Sequence, residues 1–227
     1  FDVTDLLSQI ETVRAEGRRV GLIACVAKAT AMTIKEHPEL NNRLFKGLFG
    51  VVEATYDNIA CGMAAERETD SGEKVVFPLV IKQIDTLSVD EIHQLIKDCK
   101  TLPLAELEGY KKVSKISGLP EFLIPFIHFL YRSNPRYTAK EFSTYGLSST
   151  IVVDGTAVGG HAPTNQTTFF PGSLRRRVVP LGDEIAIRSI LTMAITAEHY
   201  LVDGLAVQRA SLTLREYLEQ PDRLLNQ

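Results

Sequence analysis

The stretch Thr196–Leu212, TAEHYLVDGLAVQRASL, joins two different textures. Before it lies the apolar, β-branched run AIRSILTMAI, with the spacing of a strand. After it, Leu205, Ala206, Ala210, Leu214 and Leu218 recur at helical spacing until Pro221 stops them. His199 therefore stands at a strand-to-helix junction, with Asp203 four residues on and Gly204 permitting a tight turn. A neutral imidazole is one of the few groups able to take a thiol or hydroxyl proton near neutral pH. The Asp203 carboxylate can orient such a ring, or pair with an arginine and fix the loop. The spacing alone also fits, and favours, a satisfied core histidine followed by a helix-capping aspartate.

Working outward, Leu181–Glu184 (LGDE) separates two strand-like runs and predicts a hairpin. EFSTYGLSSTIVVDGTAV and QTTFFPGSL also read as strands. Toward the amino terminus, Leu6, Leu7, Ile10 and Val13 mark a helix, with Thr4 as its N-cap and Gly17 as its stop. GLIACVAKATAMTIKEHPEL is a second, more buried helix ending before Pro38. FGVVEATYDNIACGMAAERE and EKVVFPLVI are strands joined by the turn TDSG. Ser88 and Glu91 form a capping box at the start of SVDEIHQLIKDCKTL. GLPEFLIPFIHFLYRSNPRY is apolar, aromatic and broken by prolines, and it predicts a short kinked helix pair. Helices and strands mix without strict alternation, so the class is α+β with a mixed, mostly antiparallel sheet.

The chain has 227 residues, enough to bury a core without disulfide or metal support. A net charge of -3 gives no general nucleic-acid binder. The three cysteines, Cys25, Cys61 and Cys99, are scattered, which argues against a disulfide framework or zinc site and fits a reducing compartment. No cluster has metal-ligand spacing. Apolar runs break well short of a membrane span, and no secretory signal is visible. The expected location is the cytoplasm, or the mitochondrial matrix in a eukaryote. The start at Phe1 suggests a missing upstream piece.

Other residues offer chemistry. Ser148 and Ser149, within TYGLSSTIVV, are either filler hydroxyls at a strand centre or donors toward an oxyanion. They lack the surroundings of a nucleophilic serine. His161 lies in the loop-like GGHAPTN and can border a pocket. Arg175, Arg176 and Arg177 form a basic run, read as a solvated strand face or as a site for a phosphorylated cofactor. His37, His93 and His128 are read as structural or surface residues.

Taken together, EHYLVDG with LAVQRASLTLREYLEQPDRLL, KATAMTIKEHPELNNRL, YDNIACGMAAERETDSGEKVVFPLVIKQIDTLSVDEI and YGLSSTIV resemble, in order, the catalytic domain of the dihydrolipoyl acyltransferases of 2-oxo-acid dehydrogenase complexes. The resemblance implies one acyltransferase catalytic domain over residues 1–227, with a chloramphenicol acetyltransferase-like two-layer sandwich and helices on one face. It implies an aromatic helical insert at about 110–137, longer than in complex-forming enzymes, as in stand-alone members of the superfamily. It implies His199 as general base, Ser148 as oxyanion donor and Asp203 as structural aspartate. Ser149, Gly204, His161, Arg175 and Arg177 would border the substrate. Coenzyme A would be a substrate, a lipoyl group on a partner the acceptor, and no metal would be needed. Sites would lie between subunits of a homotrimer, with a larger shell of trimers as a further possibility. Two departures stand out: Glu198-His199-Tyr200 replaces Asp-His-Arg, and GTAVGGHAPTNQTTFFPGSL departs from the family pattern. Acylation of a small hydroxyl compound and an inactive trimeric scaffold are the competing functions.

Overall fold

The computed structural model describes residues 1–47, 50–68, 72–148, 150–154 and 166–226. Helix α1 (Thr4–Ala15) leads to α2 (Leu22–Glu36), a 3-10 turn (Pro38–Asn41) and a separate hairpin of β1 (Asn42–Gly47) and β2 (Gly50–Thr55). Strands β3 (Cys61–Glu68) and β4 (Lys74–Ile81) precede α3 (Val89–Thr101). Then come α4 (Glu108–Ser117), α5 (Ile124–Ser133) and α6 (Pro135–Glu141). Two short strands follow, β5 (Tyr145–Leu147) and β6 (Val152–Val153). The long strands β7 (Thr167–Leu181) and β8 (Glu184–Ala197), α7 (Gly204–Glu219) and α8 (Asp222–Leu225) complete the chain.

The main sheet is mixed, as expected. Strand β4 is antiparallel to β3, β3 is parallel to β5, and β5 and β6 are parallel to β7. Because β8 pairs along the whole of β7, β5 and β6 must share the other edge of β7 end to end. The β7–β8 hairpin closes through Leu181 opposite Glu184, with Gly182 at positive φ as a two-residue turn requires.

One face of the sheet carries the helices. Along β3, Cys61, Met63 and Ala65 are buried while Ala64 and Glu66 are exposed, the alternation of a sheet covered on one side. Helix α2 lies innermost; its buried small residues Ala24, Ala27, Ala29 and Ala31 go with its close packing against α7 and α3. Buried Tyr145 on β5 exchanges a hydrogen bond with Thr30 of α2 at 3.2 Å. Lys28, also buried on α2, donates to the carbonyls of Asp85 and Leu87, both at 2.8 Å. Burial holds that ammonium below the usual lysine range. Among the described residues, no helix is long and apolar enough to cross a membrane.

Several boundaries differ from expectation. Thr4 begins α1 rather than capping it: Val3 is the N-cap, and Asp2 before it accepts from the Thr4 amide at 3.0 Å and from its hydroxyl at 2.7 Å. The run read as one strand from Phe49 breaks at Tyr56–Ala60, where Asn41 donates to the carbonyls of Tyr56 and Asn58 and bends the chain. Leu205 is 66% exposed, and Tyr217 takes its place in the buried stripe of α7. The expected kinked helix pair is α5 and α6, and the capping box of α3 is present.

Candidate active site

The turn after β8 presents His199. The amide of Glu198 donates to the carbonyl of Gln166 at 3.0 Å, continuing the β8 pairing one step beyond the strand. The Glu198 carbonyl then accepts from the amides of Leu201 and Val202, at 2.9 and 3.1 Å. Val202 is drawn into the core, and His199 and Tyr200 are left exposed at the apex. The ring faces solvent in this chain and is not packed into the interior. Asp203 caps α7, its carboxylate accepting from the Ala206 amide at 2.8 Å. Among the described residues that carboxylate makes no ion pair with an arginine. The polar spacing His-x-x-x-Asp is thus one turn plus one cap: the aspartate fixes where the helix begins, and so where the histidine stands.

Ser148 lies just past the end of β5 rather than at a strand centre. Its amide donates to the Phe169 carbonyl at 2.9 Å. Its hydroxyl is 2.7 Å from the Thr150 hydroxyl, and the Thr150 amide donates to it at 3.4 Å. Either hydroxyl can be the donor in that contact; with Thr150 donating, the Ser148 proton points elsewhere. The sequence pattern does not single out Thr150 as part of this arrangement, although a hydroxyl two residues after a serine is a signal for such a turn.

The strand register fixes how these two groups are related. Ser148 is bonded at Phe169, which is opposite Ile195 on β8, four residues before His199. At a rise of about 3.3 Å per residue and a strand spacing of about 4.8 Å, the serine and histidine of one chain stand roughly 15 Å apart. They cannot act on the same atom from within one protomer.

The arginine run lies farther along β7, on the other side of the Ser148 level from His199. Alternation puts Arg176 on the opposite face from Arg175 and Arg177. Arg175 donates to the Asp154 carbonyl at 3.2 Å, and Arg177 lies directly across from Arg188, which Asp2 and Asp5 neutralise at 2.6 and 2.9 Å. The three guanidinium groups are therefore not one cluster. Ser149 and His161 lie outside the described residues. Gln166, which sequence reasoning passes over, joins two elements: its side-chain oxygen accepts from Leu44 of β1 at 3.1 Å, and its carbonyl accepts from Glu198.

The family described as 2-oxoacid dehydrogenases acyltransferase (catalytic domain) matches residues 1–106 and 169–226. The chain belongs to this family. The match contains His199, Asp203 and Gly204; the intervening segment, with the helical insert and Ser148, lies outside it. Among curated relatives, the dihydrolipoyllysine-residue succinyltransferase component of the 2-oxoglutarate dehydrogenase complex of Haemophilus influenzae is 24% identical over 91% of this chain and 42% of its own length. The chain thus spans less than half of that acyltransferase. Among solved structures, the cubic core of a pyruvate dehydrogenase multienzyme complex aligns with a TM-score of 0.65 at 19% identity, covering 99% of this chain and 80% of that one. A dihydrolipoamide acetyltransferase of Azotobacter vinelandii, studied for the role of a serine, a histidine and an asparagine in its catalytic mechanism, aligns with a TM-score of 0.64 at 18% identity, covering 99% and 80%. The α+β fold is that of these acyltransferase catalytic cores.

Proposed function

We propose that this chain transfers an acyl group between a CoA thioester and a thiol acceptor of the dihydrolipoyl kind. The observation that carries the reading is His199, held exposed between β8 and the capped α7 within the segment that the family match covers. The imidazole takes the proton of the incoming thiol, whose ordinary pKa of about 8.5 leaves little thiolate at neutral pH. The thiolate adds to the thioester carbonyl, and the oxygen gains the negative charge. The Ser148 hydroxyl donates to that oxygen. Collapse of the intermediate reforms the carbonyl and expels the other thiolate, which recovers the proton from the imidazolium. The Azotobacter enzyme supports this set. Its serine precedes its histidine by nearly the separation of Ser148 from His199, and its asparagine follows at the position of Asp203. Asparagine and aspartate both cap helices, so the exchange preserves the turn.

The separation of His199 and Ser148 within one chain supports a site built from two protomers of a homotrimer, the His199 of one facing the Ser148 of the next. Gly204 is proposed to shape the helix entry, and Arg175 and Arg177 to border the substrate on the Ser148 side of such a site. Ser149 and His161 keep their proposed places at its border. The whole of residues 1–227 is proposed as one catalytic domain.

The test is CoA release from a panel of acyl-CoAs, with dihydrolipoamide and a set of small alcohols as acceptors. Turnover with dihydrolipoamide, lost in His199→Ala, is the expected result. Turnover with alcohols alone would move the assignment to an O-acyltransferase, and no turnover with any acceptor would overturn it.

A further inference from the structure

A cleft of about 400 Å³ opens between the end of the β1–β2 hairpin and α6. Ala54–Asn58 form one wall and Arg136, Ala139 and Lys140 the other. Arg136 and Lys140 are four residues apart on α6, so both cations share one helix face. Neither has an acidic partner among the described residues. Glu141, the acid of α6, is taken by Lys112 at 2.9 Å, which holds its carboxyl below the usual range. Asp57, across the cleft, is not ion-paired with either cation.

The walls are braced from behind. Asn41 donates to the carbonyls of Tyr56 and Asn58, at 2.8 and 3.0 Å. Lys82 donates to the carbonyls of Ala139 and Phe142, fixing the end of α6. Asn58 donates to the Ala139 carbonyl at 3.3 Å, and its own side-chain oxygen stays buried with no donor. Braced walls avoid part of the ordering cost of binding. The cleft is linked to the His199 turn through β1: Asn42 and Arg43 pair with Thr55 and Ala54, and the next residue, Leu44, is bonded to Gln166, which holds Glu198.

We propose that Arg136 and Lys140 form an oxyanion-binding site in this cleft. It takes the anionic end of the acyl-CoA: a terminal carboxylate on the acyl chain or a phosphate of CoA. That the anion belongs to acyl-CoA rests on the function proposed above; the oxyanion site itself does not. Two cations on one helix face bind either group.

Two measurements test this. In the first, succinate and inorganic phosphate are titrated into the assembled protein while the methyl resonances of Ala54 and Ala139 are followed by NMR. Saturable shifts in the wild type, absent in Arg136→Gln/Lys140→Gln, are expected. No shift in the wild type, or the same shift in the variant, overturns the site whether or not the protein is an acyltransferase. In the second, equilibrium binding of succinyl-CoA, butyryl-CoA and their dephospho forms is compared. The double variant is expected to bind the preferred ester about tenfold more weakly. Loss confined to succinyl-CoA identifies the carboxylate; loss for all esters that retain the 3′-phosphate identifies the phosphate. Equal binding of every ester by wild type and variant overturns the assignment to acyl-CoA while leaving the transferase reading intact.

Discussion

At the scale of single residues, the proposed chemistry separates side chains that react from side chains that hold position. Ser148→Ala should reduce kcat by about 100- to 1000-fold, as loss of an oxyanion donor does, while leaving assembly unchanged by sedimentation. An unchanged kcat would remove Ser148 from the mechanism. Asp203 is bonded only as an N-cap among the described residues, so its two substitutions should differ. Asp203→Ala is expected to lower stability by about 1 kcal/mol in denaturant unfolding, and Asp203→Asn by only a few tenths. Activity that follows the same order marks the aspartate as a positioning residue. The His-x-x-x-Asp-Gly spacing was legible in the sequence because turn and cap are local. Gln166 was not, because its role depends on a strand from the other half of the chain; Thr150, two residues after Ser148, carried a local signal that a strand reading of that stretch passes over.

At the scale of elements, two junctions carry testable consequences. Helix α4 approaches β4 so closely that a methyl on Gly109 would stand 2.5 Å from the Pro78 carbonyl oxygen. Alanine favours a helix by about 1 kcal/mol over glycine, but overpacking typically costs about 1–3 kcal/mol. Gly109→Ala should therefore loosen α4 from the sheet, seen as faster hydrogen exchange over residues 108–117 with the rest of the fold little changed. The second junction is Arg18, which joins α3 through Asp90 at 2.5 Å and the chain end through the Leu225 carbonyl at 2.9 Å. The guanidinium hydrogen bonds hold the Asp90 carboxyl below its usual range, against some burial. A carboxyl depressed in the folded state adds stability above its unfolded pKa of about 4, and that stability is lost as pH falls through the folded value. Asp90→Asn should flatten this part of the acid-unfolding profile and cost stability at neutral pH. Partial exposure of the pair keeps the effect modest.

At the scale of the whole molecule, the register of β5, β7 and β8 leads to the strongest prediction. If each site joins the His199 of one protomer to the Ser148 of the next, His199→Ala and Ser148→Ala chains are each inactive alone but complement when co-assembled. Random mixing in a trimer restores about a quarter of the sites. A site within one chain would restore none, so an assay on refolded mixtures decides between them.

The local sequence determined the class and most of the elements: helical periodicity placed α1, α2, α3 and α7, the Ser88–Glu91 box began α3, and LGDE closed the β7–β8 hairpin. These features arise from contacts a few residues apart, which a pattern records directly. Only the tertiary structure decided that β5 and β6 share an edge of β7, that Ser148 falls past a strand end, and that it lies far from the His199 of its own chain. It alone set Arg136 and Lys140 opposite the Ala54–Asn58 wall. Those placements depend on register and packing between segments remote in the chain, and hydrophobic spacing within each segment is the same whichever neighbour it meets.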